Sequence, residues 1–224
     1  MNRKYLIGCL LLLAMPLLAY GQSDDFGIWT SAGARKNIFP GMVAELEGEF
    51  RLRDNLKETD RWGVTADLSY RILSCLKVGA SYNLIRFHHE KRGWETRHRY
   101  SLYGVGSYSW NRFTLSLRER YQHTYKAGVS ATAKRANPKD VLRSRLKLEY
   151  DIRKSPFSPY ASVELYHTLN DPQENGLEKT RYTAGTVYKL NKRNRLDIYY
   201  RYQDQADDDE ANGHILGIGY QYRF

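Results

Sequence analysis

The chain has 224 residues, 35 Lys and Arg against 25 Asp and Glu, a formal net charge of +10 and a mean hydropathy of −0.67. It holds 19 Tyr, 4 Trp and only 6 Pro, a balance that favours sheet over disorder or a helix bundle. Beyond the first two dozen residues no apolar run has the length of a spanning helix, so any membrane crossing must be made by strands.

Residues 1–21 read as a signal peptide. Arg3 and Lys4 form a basic start, Tyr5 to Leu18 an apolar core, and Ala19-Tyr20-Gly21 a cleavage site that makes Gln22 the first mature residue. Cleavage removes two positive charges and Cys9, leaving Cys75 with no partner for an internal disulfide. Residues 22–41 follow as an N-terminal segment. It contains FGIWTSAGARKNI at 26–38, with strand character at Ile28, Trp29 and Thr30.

From Met42 onward period-two alternation recurs in ten runs. They lie at 42–53, 60–72, 75–88, 96–109, 112–123, 140–152, 158–168, 178–190, 194–205 and 213–224. Each is about twice the usual five or six residues of a strand in a soluble protein. Each matches the roughly 9–11 residues that a tilted strand needs to cross hydrocarbon. In the first run Met42, Ala44, Leu46, Gly48, Phe50 and Leu52 oppose Val43, Glu45, Glu47, Glu49, Arg51 and Arg53. In the last, Leu216, Ile218, Tyr220, Tyr222 and Phe224 oppose Gly217, Gly219, Gln221 and Arg223.

A soluble sandwich would alternate in the same way. Two features point to a barrel. Aromatic residues recur at the ends of apolar faces, at Trp62, Tyr108, Tyr150, Tyr188, Tyr220, Tyr222 and Phe224, where an aromatic girdle belongs. The connections also alternate in length. Short turns fall at Ser74, Trp110–Asn111 and Asn191–Arg193, and longer polar links at 54–59, 89–95, 124–139, 169–177 and 206–212. The expectation is an all-β, single transmembrane antiparallel β-barrel spanning 42–224, with short periplasmic turns and longer outer loops.

If both ends of the barrel lie on the periplasmic side, the strand number is even. Ten strands satisfy that condition and leave 22–41 in the lumen or along the periplasmic rim. Twelve is the alternative, with a further strand within 124–139.

The charged faces then point inward. The lumen lattice holds Glu45, Glu47, Glu49, Asp67, Glu149, Glu164 and Asp197. Its bases include Arg51, Arg53, Arg71, Arg97, Arg99, Arg118, Arg120, Arg143, Arg145, Lys147, Arg181 and Arg201. Enclosed charges must be paired or hydrated. The lattice either fills and closes the barrel or, through its excess of bases, favours small anionic solutes.

Other chemistry is sparse. No His among His88, His89, His98, His123, His167 and His214 has Ser two residues on, as an outer-membrane phospholipase would require. His88, His123, His167 and His214 gather toward the outer end, which leaves a hydrolase as an alternative. The run Asp207-Asp208-Asp209-Glu210 lacks the alternating ligand spacing of a calcium loop, and neither a metal nor a cofactor is expected. Lys126, Lys134, Arg135 and Lys139 in the longest link would face lipopolysaccharide phosphates. Export, and bases spread along alternating faces, argue against nucleic acid.

The mature chain resembles an uncharacterised family of outer-membrane β-barrels from Bacteroidota, a domain of unknown function, DUF2490. Matching stretches are FGIWTSAG with Arg35 and Lys36, VAELEGEFRLRDN with Glu47, Glu49, Arg51 and Asp54, YYRYQDQ at 199–205, and the terminal strand ending on Phe224. The resemblance implies a barrel in the outer membrane and carries no activity. The terminal aromatic strand resembles the signal read by the barrel-assembly machinery. A more distant architectural similarity is to narrow, Arg-rich porins of twelve strands for acidic oligosaccharides.

Overall fold

The computed structural model describes residues 24–89, 92–130, 138–171, 175–207 and 210–224. Eleven strands close into one barrel: β1 (Asp25–Phe39), β2 (Met42–Arg53), β3 (Glu58–Arg71), β4 (Leu76–His89), β5 (Gly93–Trp110), β6 (Phe113–Lys126), β7 (Lys139–Tyr150), β8 (Phe157–Thr168), β9 (Leu177–Lys189), β10 (Asn194–Gln205) and β11 (Gly213–Arg223). Ten neighbour pairs are antiparallel. The eleventh, β1 with β11, is parallel.

That seam corrects both strand counts, ten and twelve, and the placement of 22–41. From Asp25 onward this segment is a barrel strand, paired with β2 from Ile28↔Leu52 and with β11 from Asp25↔Gly213 to Arg35↔Arg223. An even barrel needs both terminal strands to run antiparallel where they meet. A parallel contact removes that requirement, so parity no longer excludes β1. The seam is fastened at both ends. Asp25 N–H donates to the Asn212 carbonyl at 2.7 Å, and Phe224 N–H to the Arg35 carbonyl at 2.9 Å. The signal peptide, and any extra strand within 131–137, lie outside the described residues.

One end of the barrel carries short turns. Pro40 and Gly41 join β1 to β2, Gly41 adopting φ +86°, a conformation glycine takes without strain. Residues 72–75, 111–112, 151–156 and 190–193 make the other turns there. The links from β2 to β3, β4 to β5, β6 to β7, β8 to β9 and β10 to β11 leave the strands at the opposite end. By loop length we assign the first end to the periplasm and the second to the outside. Asp25 and Gly213 therefore start at the outer end, and Phe39 and Phe224 lie at the inner one.

Burial is inverted relative to a soluble protein. Leu102 is 64% exposed, and Leu46, Leu68, Leu117, Leu146, Ile198 and Ile218 are exposed beside it on the outer wall. Glu164 is 5% exposed, and Ser69, Ser101, Gln122 and Thr183 are buried with it. Strands of 11 to 18 residues with apolar outer faces suit hydrocarbon, and a sandwich would have placed these leucines in its core.

Candidate functional site

β2 sets up the acidic wall of the lumen. Alternation places Glu45, Glu47 and Glu49 in a ladder on its inner face, with Arg51 and Arg53 above them toward the outer end. Glu45 accepts a hydrogen bond from Gln221 of β11 at 2.8 Å, reaching past β1 at Gly33, the residue paired with both Gln221 and Glu47. Arg51 pairs with Glu49 at 2.7 Å, and Arg53 with Glu58 at 3.1 Å.

The opposite wall, β6 to β9, is basic. Glu164 accepts from Arg118 at 2.5 Å and, through both oxygens, from Arg143 at 2.9 Å. Tyr166 donates to the same carboxylate at 3.0 Å and itself accepts from Arg181, which also donates to Gln203 at 2.8 Å. Buried and shared by two guanidiniums, Glu164 is the structural knot of this wall.

Two cavities lie along the lumen. The outer one, about 650 Å³, is lined by ten Arg or Lys and four Glu residues. The inner one, about 420 Å³, is lined by eight Arg or Lys against three Glu and Asp67. They share Glu47, Glu49, Arg51, Arg99, Gln122 and Arg143, a charged waist between them. In both, bases exceed acids.

The outer chamber is organised by aromatic rings. Arg51, Arg201 and Arg181 surround the Trp29 ring at 3.8, 4.9 and 5.0 Å from its centroid. Arg97 and Arg61 approach Phe87 at 4.0 and 5.3 Å, and Arg143 approaches Tyr166 at 4.4 Å. Each ring face offers guanidinium a favourable neighbour that carries no negative charge. Arg97 pairs with Glu95 at 3.1 Å, whereas Arg99 donates to Thr124 at 2.9 Å and Arg201 to Thr183 at 3.0 Å.

Lower in the barrel Lys147 pairs with Glu149 at 2.8 Å and lies 4.1 Å from the centre of Tyr160. Asp67 accepts from Tyr103 at 2.8 Å, and Asp197 from Tyr160 at 2.9 Å. Arg71 is exposed next to the inner turn and lines neither chamber. Sequence reading missed the lumen aromatics Trp29, Phe87, Tyr103, Tyr160, Tyr166 and Tyr199. Their signal was parity: Tyr166 is two residues from Glu164, and Tyr199 lies between Asp197 and Arg201 on the same face. Gly217 makes room for the Tyr199 ring, 2.0 Å from where its Cβ would sit.

The outer wall carries aromatic clusters at both ends. Near the inner turns Tyr108, Trp110 and Phe113 stack in series and Tyr150 meets Phe113 at a tilt, Phe157 stacks on Tyr188 at 4.6 Å, and Tyr222 meets Phe224 edge-on at 4.9 Å. Tyr220 donates to Asn194 on this rim. Trp62 is exposed toward the other end, opposite Arg86 of β4, and His98 stacks on Tyr125 at 5.1 Å toward that end. His98 accepts from, or donates to, the Tyr82 hydroxyl at 2.6 Å on this outer wall, away from the lumen. His123 pairs with Asp140 at 2.6 Å, and His214 with Asp24 at 3.0 Å. Lys134, Arg135, Asp208 and Asp209 lie outside the described residues.

A closed barrel with lipid-compatible walls, two aromatic rims and a charged interior defines an outer-membrane β-barrel protein. The chain belongs to the family described as Protein of unknown function (DUF2490), which matches residues 26–214 and so includes nearly all of β1. No curated protein sequence matches the chain. Among solved structures it is similar to the β domain of the Bordetella autotransporter BrkA, at 15% identity and a TM-score of 0.52, over 80% of this chain and 79% of that one. It is also similar to the NanC porin, at 13% identity and a TM-score of 0.53, over 85% of this chain and 93% of that one. At these identities the likeness is one of fold.

Proposed function

We propose that this outer-membrane barrel is a narrow path for small anions. The observation that carries the reading is the surplus of guanidinium and ammonium groups in two chambers that meet at a shared waist. Such a surplus, enclosed by low-dielectric walls, raises the local concentration of anions and repels cations. A fold shared with the NanC porin supports it. The test is efflux from proteoliposomes: chloride leaves faster than potassium, and vesicles with refolded protein but no ion flux refute the proposal.

The Glu164 knot and the Glu49–Arg51 pair favour a second reading, a closed barrel with a structural role. Under that reading the lumen charges serve only to neutralise one another, and no flux of either sign is seen.

A further inference from the structure

Four arginines stand as a square on the inner face of β6 and β7. Arg118 is directly opposite Arg145, and Arg120 is directly opposite Arg143. Like charges directly opposed on neighbouring strands destabilise a sheet. Here two such pairs are adjacent, and all four residues line the inner chamber.

Among the described residues one carboxylate is ion-paired to any of them. Glu164 is engaged with Arg118 and Arg143, and both of its oxygens are used. Among the described residues Arg120 and Arg145 form no ion pair and donate no side-chain hydrogen bond. Their Nε atoms are enclosed without a partner. The Tyr103 ring, 4.9 Å from the Arg120 guanidinium, supplies a face and no acceptor. A guanidinium carries five donors in a rigid fork, and enclosing it without an acceptor is costly. Two such forks at diagonal corners of the square, facing one cavity, describe a site for an anion.

We propose that Arg120 and Arg145 bind a phosphate group in the inner chamber, while Arg118 and Arg143, the other diagonal of the square, are held by Glu164. A dianion answers both unmatched charges at once, which a single carboxylate or a chloride ion does not. Its several oxygens also suit paired forks. The cavity of about 420 Å³ admits free phosphate or a small phosphate ester. This deepens the anion-path reading by naming a solute class, and rests on it only for biological purpose.

The test is calorimetric titration of inorganic phosphate into the refolded full chain in detergent, at constant ionic strength. Saturable binding is expected, at least about tenfold tighter than acetate. Arg120→Gln and Arg145→Gln should each weaken it at least about tenfold, while Arg71→Gln, outside the square, leaves it unchanged. Where a Gln variant does not refold, Arg120→Lys or Arg145→Lys keeps the charge, removes the fork and should weaken binding in the same direction. Glycerol phosphate as the probe separates the sources: equal binding indicates an ester, and binding of inorganic phosphate alone indicates the free ion. Heat no larger than that of sodium chloride, or binding that survives both substitutions, overturns the site. Binding needs no transport, so a barrel that binds phosphate without conducting overturns the path alone. One that conducts anions without binding phosphate overturns the site alone.

Discussion

Tyr103 lies flat across Gly79: a Cβ on that glycine would sit 2.4 Å from the Tyr103 ring and hydroxyl. From there Tyr103 reaches Asp67 of β3, two strands away, and donates to it at 2.8 Å. The device recurs in the same barrel. Tyr160 passes over Gly185, whose Cβ would lie 3.0 Å from the ring, and donates to Asp197 of β10 at 2.9 Å. A missing side chain on the middle strand lets one ring brace three strands and satisfy a half-buried carboxylate.

Adding bulk under that ring should therefore be felt. Gly79→Val is expected to destabilise the barrel by about 1–3 kcal/mol through overpacking. Tyr103→Phe keeps the ring, removes the donor to Asp67 and should cost about 1.5–3 kcal/mol, the range for hydrogen bonds to charged groups. Guanidinium unfolding in detergent or vesicles measures both. Full stability in Gly79→Val would mean the ring does not lie there.

Glu164 should matter more than any other lumen carboxylate. Removing it leaves Arg118 and Arg143 enclosed without their counter-charge, a loss of about 3–5 kcal/mol for one half of a buried pair. Glu58→Gln, at a half-exposed pair with Arg53, should cost at most about 1 kcal/mol. Equal effects in the same unfolding assay would refute the knot.

The parallel seam makes a covalent prediction. Thr30 and Ile218 are direct partners on neighbouring strands, whose spacing of about 4.8 Å is one that a disulfide can span. With Cys75→Ser in place, Thr30→Cys and Ile218→Cys should oxidise to one internal disulfide, seen by mass after free thiols are blocked. Two free thiols in folded protein would mean that β1 is not in the wall.

The long strands and the charged interior were legible because contrast between faces was high: Leu46 beside Glu47, Leu146 beside Arg145. β1 was not. Its inner face runs Gly27, Trp29, Ser31 and Gly33, its outer face Ile28, Thr30, Ala32 and Ala34, so alternation is faint, and parity argued against it. Of the site, the sequence revealed which charges share a face, since parity decides that. It did not reveal which meet, because Arg118 facing Arg145 depends on hairpin register across 127–138. The ring-over-glycine braces were hidden for the same reason: Tyr103 and Gly79 are neighbours only once β4 and β5 are paired.

Sidedness can be read from the native thiol. Cys75 is exposed in the short turn 72–75, at the end assigned to the periplasm, and Asp25 begins β1 at the other. A membrane-impermeant maleimide should label Asp25→Cys on intact cells and Cys75 only after the outer membrane is opened. Labelling in the reverse order would invert the assignment.

Anion preference of the lumen is tested most directly by the reversal potential in a planar bilayer under a potassium chloride gradient. Single-channel steps are expected with a reversal potential on the chloride side, moving toward zero when Arg181 and Arg201 of the outer chamber are changed to Gln. Steps that reverse on the potassium side, or folded protein that gives no steps, would contradict it.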